Sequence, residues 1–273
     1  MAIKLIALDL DGTSRTDDKH ISPATRRALE EAAEKGVNVV IATGRTYSAI
    51  PEEVFSVRGI RYVMTSNGAA ITDLHQDKVI YENCIAPDAV ENIVDLMKQY
   101  DFMVETFVNG IAYIDRKFYD GVRDSKIGYR HMEYVLSTRT PVDDLLNFIL
   151  ENKNHIENVN VNFEHQEDRQ MMREKMMQIP DTTLTWAFDN NLEMGGATTS
   201  KASALLQLEK LLGVSPDEMM AVGDSPNDMA MMQLAGLPVA MGNAKDEVKA
   251  IAKYVTDTNK NDGVAKAVRK FVL

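Results

Sequence analysis

The residues best placed for chemistry in this 273-residue chain are aspartates that close apolar runs. The stretch IKLIALDLDGT, residues 3 to 13, ends such a run on Asp9 and Asp11. Alternate side chains of a strand share a face, so strand geometry carried one step past the run brings both carboxylates to one point. Two such groups repel unless a cation, a shared proton or a basic partner balances them. The competing reading is an Asp-Gly turn that simply ends the strand. MMAVGDSPNDMAMM repeats the design, leading into Asp224 and then a polar helix start that bears Asn227 and Asp228. Ser225 as N-cap, Pro226 at the first helical position and Asp228 three residues after the cap also describe a capping box, which accounts for Asp228 without a ligand. Asp224 has no such explanation. Strand ends of an open α/β sheet gather at one edge, where ligands bind, so Asp9, Asp11 and Asp224 are expected to meet there. Oxygen-only donors, and five histidines without metal-binding spacing, select Mg²⁺ over zinc or copper.

Two further stretches could receive an anion. In IATGRT, Thr43 and Gly44 stand between an apolar run and a helix start, where exposed amides, a small residue and a hydroxyl suit phosphate. A structural Thr-Gly turn explains the same residues, and Arg45 reads equally as a substrate grip or as a surface side chain covering its own helix. Lys201 follows Thr198, Thr199 and Ser200 at a helix head, where a cation opposes the helix dipole. Either a nearby anion removes that penalty or the ammonium stands in solvent.

The elements that must position these residues form an α/β pattern. Ile3 to Leu8 reads as a buried strand, and Ser22-Pro23 starts a helix that stops at Gly36, with the usual cap, first-turn proline and terminal glycine. VNVVIATG reads as a second strand, residues 46 to 56 as a helix and RYVMTSNGA as a third strand. Strands alternating with helices predict a Rossmann-like parallel sheet. From residue 85 to 193 the texture changes to helices near 87–100, 141–153 and 166–178 with strands in FMVETFV, NVNVNFE and TLTWAF, an inserted α+β cap domain. The first pattern then resumes: helix 200–212, strand MMAVGD, helix 225–235, strand LPVAMG and helices 245–253 and 262–271. The domains are therefore expected at 1–84 plus 194–273 for the core and 85–193 for the cap. The 16 methionines, paired at 171/172, 176/177, 219/220 and 231/232, read as core filler.

Composition narrows the field. With 45% hydrophobic and 26% charged residues, and no apolar run near the ~20 residues that span a bilayer, no membrane segment is expected. No leader-type N-terminus is legible, and one cysteine, Cys84, cannot form an internal disulfide, which together suit the cytoplasm. A net charge of −11 argues against nucleic-acid or anionic-membrane partners, which require Lys/Arg clusters.

In this order, and with a large insertion between the second and third, the motifs resemble the haloacid dehalogenase superfamily of phosphohydrolases. DLDGT at 9–13, ATGR at 42–45, Lys201 and GDSPNDMAMM at 223–232 correspond to its four motifs. SNGA at 66–69, VAMGNA at 239–244 and NDGVAKAV at 261–268 look like its Cof-type branch, whose cap is inserted at that place. Two positions depart from the pattern: Ser14 stands where an apolar residue is usual, and Ala202 where glycine is common. The resemblance implies that Asp9 is the nucleophile and that Asp11 protonates the leaving oxygen and later activates water. It further implies that Asp9, the Asp11 carbonyl and Asp224 hold Mg²⁺ while Asp228 orients the metal shell, and that Thr43, the Gly44 and Leu10 amides, Lys201 and Asn227 bind the phosphoryl oxygens. The implied activity is hydrolysis of small phosphorylated metabolites, sugar phosphates foremost, with the cap choosing the substrate. A phosphomutase on the same core, and a phosphometabolite-binding module with weak catalysis, are the alternatives.

Overall fold

A computed structural model describes residues 2–186 and 188–273. The chain divides into two compact units. One comprises the segment ending at Gly44, Ile50–Tyr81 and Ser200–Leu273; the other comprises Arg45–Ala49 and Glu82–Thr199.

The first unit opens with β1 (Leu5–Asp9), α1 (Pro23–Glu34) and β2 (Asn38–Ala42). The Ser22 side chain caps α1 by accepting from the Thr25 amide, and Gly36 follows its end at φ +82°, as the sequence pattern predicts. The helix expected over 46–56 is broken. A 3-10 turn at Tyr47–Ala49 is followed by Pro51 and a single turn, α2 (Glu52–Phe55), because proline disfavours helical backbone in the residue before it. The strand expected through RYVMTSNGA also stops early. β3 (Ile60–Thr65) ends at a turn in which Ser66, Asn67 and Gly68 all have positive φ, and β4 (Ala70–Asp73) runs back antiparallel to it. β5 (Lys78–Glu82) completes this stretch.

The second unit carries α3 (Pro87–Met97), β6 (Met103–Val108), β7 (Ile111–Asp115), α4 (Arg116–Arg123), α5 (Met132–Thr138), β8 (Arg139–Val142), α6 (Leu145–Glu151), β9 (Ile156–Asn162), α7 (Gln166–Met176), β10 (Thr182–Thr185) and β11 (Asn191–Gly196). Its sheet has the order β10-β11-β9-β6-β7-β8, with every neighbouring pair antiparallel except β7 and β8. One face is apolar: Val104, Val159, Val161, Leu192 and Met194 pack in one core with α3, α6 and α7. The intervening positions Glu105, Asn160 and Glu193 are polar yet buried. The strand expected in TLTWAF is realised as β10, and Ala187 of that stretch lies outside the described residues.

The first unit resumes with α8 (Lys201–Leu212), β12 (Met219–Gly223), α9 (Met229–Leu234), β13 (Leu237–Ala240), α10 (Asp246–Ala250), β14 (Tyr254–Val255) and α11 (Gly263–Phe271). Its sheet runs β14-β13-β12-β1-β2-β3-β4-β5, and the six strands from β14 to β3 are parallel. This is the Rossmann-like arrangement the alternation predicts, and no described helix is long and apolar enough to cross a membrane. The central strands are nearly continuous apolar runs, as burial on both faces requires, with Leu5 to Leu8, Val39 to Ile41 and Met219 to Val222 all fully buried. The methionine pairs behave as their elements dictate. Both members of 219/220 and 231/232 are buried, whereas on α7 Met172 and Met176 are buried and Met177 is 60% exposed.

Candidate active site

Register aligns the strand ends that carry chemistry. Asp9 on β1 is abreast of Ala42 on β2, Ala42 of Met64 on β3, and Leu8 of Val222 on β12. The residues just past these ends, Leu10, Thr43, Ser66 and Asp224, therefore share one edge, which is where the sequence reading places the site. Lys201 comes from elsewhere in the same unit, as the first residue of α8, whose cap Ser200 accepts from the Ser203 amide.

Lys201 is not a solvated surface lysine. It is 1% exposed, and its Nζ donates to Asp9 Oδ1 at 2.5 Å and to Asp228 Oδ1 at 2.7 Å. Burial opposes the ammonium charge, but Asp228 and Asp9 outweigh it and hold the lysine protonated well above its ordinary range. Asp228 completes the capping box and also meets the lysine. Its Oδ2 accepts from the Asp224 and Ser225 amides at 3.0 Å each, completing a capping box, while Oδ1 takes the lysine. Asp224 accepts from the Thr13 hydroxyl at 2.8 Å and the Ser225 hydroxyl at 3.1 Å. Carboxylate oxygens of Asp9, Asp224 and Asp228 lie within 4.8 Å of one another. Three carboxylates thus share one ammonium, which leaves an excess of negative charge. Burial, then Asp228, pushes Asp224 up to about 6. Burial, Asp228 and Asp224 push Asp9 well above its ordinary value against the pull of Lys201.

Asp11 is placed differently from the sharing of one point that strand alternation suggests. The chain leaves strand geometry after Asp9, Gly12 adopts φ +83°, and Asp11 bridges to Arg15. Its carboxylate is 47% exposed and meets Arg15 Nη1 at 3.4 Å. A Cβ at Gly12 would lie 2.7 Å from Asp224 Oδ2, so this turn needs glycine both for its backbone and for room. Ser14, the departure from the family pattern, donates its hydroxyl to the Asp9 carbonyl at 2.6 Å and so ties the loop to the strand end. On the other side, Thr43 is buried and its carbonyl accepts from the Asn67 amide at 3.1 Å. A Cβ at Gly44 would lie 3.1 Å from Asn67 Oδ1. Asn227 Nδ2 donates to that same Asn67 oxygen at 3.0 Å, leaving the buried Asn227 Oδ1 without a partner among the described residues.

Several supporting residues escape chemistry-first reading. Asn67 joins the Thr43 and Asn227 sides, Thr13 orients Asp224, and Asn243 donates to the Gly12 carbonyl at 2.8 Å. Asn259, 7% exposed, donates to the Arg15 carbonyl and to Asp17. Their signal was present as the SNGA and VAMGNA stretches and the residues just before NDGVAKAV, but amide side chains that brace loops have no spacing rule to reveal them. Cys84 belongs to the other unit, where burial, then Glu157 and Glu82, pushes its thiol up to about 11, away from a reactive thiolate.

A mostly parallel α/β sheet with an acidic, lysine-bridged edge, its chain interrupted by a mostly antiparallel inserted unit, fits the phosphohydrolase class. Comparison with known proteins gives the same answer. Residues 6–268 match the model of the haloacid dehalogenase-like hydrolases, and the chain belongs to that family as a phosphoric monoester hydrolase. It is 34% identical, over 99% of its length and 96% of the relative's, to a 5-amino-6-(5-phospho-D-ribitylamino)uracil phosphatase of Bacillus subtilis. A second B. subtilis phosphatase of the same printed activity is 30% identical over 98% of this chain and 97% of its own. Among solved structures, a haloacid dehalogenase-like hydrolase from B. subtilis superposes with a TM-score of 0.84 at 28% identity, covering 99% of this chain and 100% of that one.

Proposed function

We propose that the chain is a Mg²⁺-dependent phosphatase that releases phosphate from small phosphorylated metabolites, sugar-alcohol and sugar phosphates foremost, through a phosphorylated Asp9. The observation that carries this reading is the buried Lys201 joined to Asp9 and Asp228 within a cluster of three carboxylates. Two relatives at 30% identity or more act on a phosphorylated ribityl compound, which supports a polyol phosphate as the substrate class.

The residues fit a divalent cation. One ammonium against three carboxylates leaves negative charge uncancelled, and the donors are all oxygen, which suits Mg²⁺. Asp228 has committed one oxygen to Lys201 and the other to two amides, so Asp9, Asp224 and the Asp11 carbonyl would hold the ion and Asp228 would steady them. When bound, it supplies positive charge that offsets the repulsion between a carboxylate and a phosphate.

The rest of the chemistry falls to the chain. An Asp9 oxygen attacks phosphorus and forms the O–P bond while the bond to the leaving oxygen breaks with its electron pair. Asp11 gives its proton to that oxygen, then takes one from the water that attacks the phosphorylated Asp9, which restores both carboxyl groups. Lys201, Thr43, Asn227 and the Leu10 and Gly44 amides balance charge on the phosphoryl oxygens, an electrostatic task suited to a buried, fixed site. The inserted unit is assigned the choice of substrate. The test is phosphate release from a panel of sugar, polyol, nucleotide and cofactor phosphates with Mg²⁺ and with chelator. Turnover that disappears with chelator is expected; silence across the panel with Mg²⁺ would sink the reading.

A further inference from the structure

Arg15 is an arginine that its loop hides. Its side chain is only 9% exposed although the loop around residues 17 to 20 is exposed, and each donor edge of the guanidinium has its own acceptor. Nε donates to Glu53 Oε1 at 2.8 Å, Nη2 to the Lys19 carbonyl, and Nη1 faces Asp11 Oδ1 at 3.4 Å. Glu53 in turn accepts from the Ile21 amide at 2.9 Å with its other oxygen, so one carboxylate grips the loop at residues 15 and 21. The Arg15 backbone is fixed too, by its amide to the Leu10 carbonyl and by Asn259 on its own carbonyl. A guanidinium held on two sides and at its backbone is rigid, and a rigid fork sets the direction of whatever its third edge meets.

We propose that Arg15 is a positioning residue for Asp11, aiming its carboxyl group for proton transfer at the leaving oxygen. The inference rests on the phosphatase reading and on the role that reading gives Asp11. An arginine serving only to tie the loop to Glu53 and the Lys19 carbonyl would use Nε and Nη2 alone. The Asp11 contact is the longer of the two ion pairs, 3.4 Å against 2.8 Å, so Glu53 anchors the guanidinium and Asp11 is the partner it faces. Lysine carries its donors on one flexible nitrogen and lacks the fixed planar fork that here meets Glu53, the Lys19 carbonyl and Asp11 on separate edges.

The consequence depends on the leaving group. A poor leaving group such as a primary alkoxide needs the proton, whereas p-nitrophenolate departs without it. kcat/KM reports steps up to the departure of the leaving group, so it isolates this proton transfer from the later water attack. For Arg15→Met, kcat/KM on glycerol phosphate is expected to fall about tenfold, a fraction of what general acid catalysis supplies, while that on p-nitrophenyl phosphate falls less than about twofold. Glu53→Gln, which loosens the tether without removing the guanidinium, should shift the same ratio in the same direction by less, and it keeps the inference testable if Arg15→Met does not fold. Arg15→Lys should recover only part of the loss. Melting temperatures of all variants accompany the kinetics, because a merely structural role lowers both activities together with stability. An alkyl-to-aryl ratio unchanged in a folded variant overturns the positioning role. Wild type that hydrolyses neither ester counts against the phosphatase reading itself and takes this inference with it.

Discussion

Each unit of the molecule buries a cluster of charges, and the two clusters are balanced in opposite ways. In the inserted unit, Glu105 is fully buried but accepts from Arg139 Nε and Nη2 at 3.0 and 2.7 Å and from Arg130 Nη2 at 2.7 Å. Burial works against its charge, yet Arg130 and Arg139 overcome that and hold the carboxyl below its ordinary range. In the first unit, one ammonium serves Asp9 and Asp228 with Asp224 beside them, and burial with mutual repulsion pushes Asp9 and Asp224 up. One cluster has cations to spare; the other lacks them. A surplus of buried negative charge is a poor way to stabilise a fold and a good way to receive a cation, whereas a carboxylate shared by two guanidiniums already has its charge answered.

Substitution can break this contrast. The largest effect is expected for Lys201→Met, which removes the single cation from the anionic cluster: phosphate release should fall about 10²–10³-fold, the usual consequence of losing one preorganised donor. Steady-state kinetics with Mg²⁺ reads it, and activity near wild type would show that the ammonium is not part of the machinery. Glu105→Ala leaves two buried guanidiniums facing each other and should cost about 3–5 kcal/mol by denaturant titration. A loss under about 1 kcal/mol would mean that Glu105 does not balance the two guanidiniums as the contacts indicate.

How far these clusters were legible differs in an instructive way. The carboxylate edge was readable because Asp9 and Asp224 follow apolar strands, and register then brings them together. The Glu105 cluster was not, since Glu105, Arg130 and Arg139 sit at unrelated spacings and only the pairing of β6 with β7 and of β7 with β8 brings Arg139 toward Glu105. Asp11 marks the limit of strand reasoning, because alternation assumes an extended backbone, whereas the strand stops at Asp9 and Leu10 already lies in a turn. Lys201 was visible as a helix head but not as buried. The turn at Ser66 to Gly68 hid inside a stretch that reads as strand, since positive φ at a serine leaves no mark in hydrophobic pattern.

Smaller effects refine the comparison. Gly12→Ala should destabilise by about 1–3 kcal/mol, the usual cost of a strained backbone, because it adds a Cβ 2.7 Å from Asp224 Oδ2 at φ +83°. It should also lower Mg²⁺-dependent turnover, and a neutral outcome by thermal melt and kinetics would show that the loop can yield there. The pH response of the inserted unit should be smaller still. Because the folded Glu105 carboxyl lies below its unfolded value, the folded state binds this proton more weakly. Its contribution is therefore complete above the unfolded pKa of about 4.3 and is lost as pH falls through the folded one. Denaturant midpoints for wild type and Glu105→Gln should be fully separated above about pH 4.3 and draw together as pH falls below it, and curves that stay parallel down to the acid limit would argue against a depressed Glu105.

The most direct test of the central claim, that the anionic edge is a phosphoryl-transfer site with Asp9 as nucleophile, compares wild type with Asp9→Asn on the phosphomonoester that wild type hydrolyses fastest with Mg²⁺. The account predicts that phosphate release is lost in Asp9→Asn while the protein stays folded. Release at the wild-type rate from the substituted protein would contradict it.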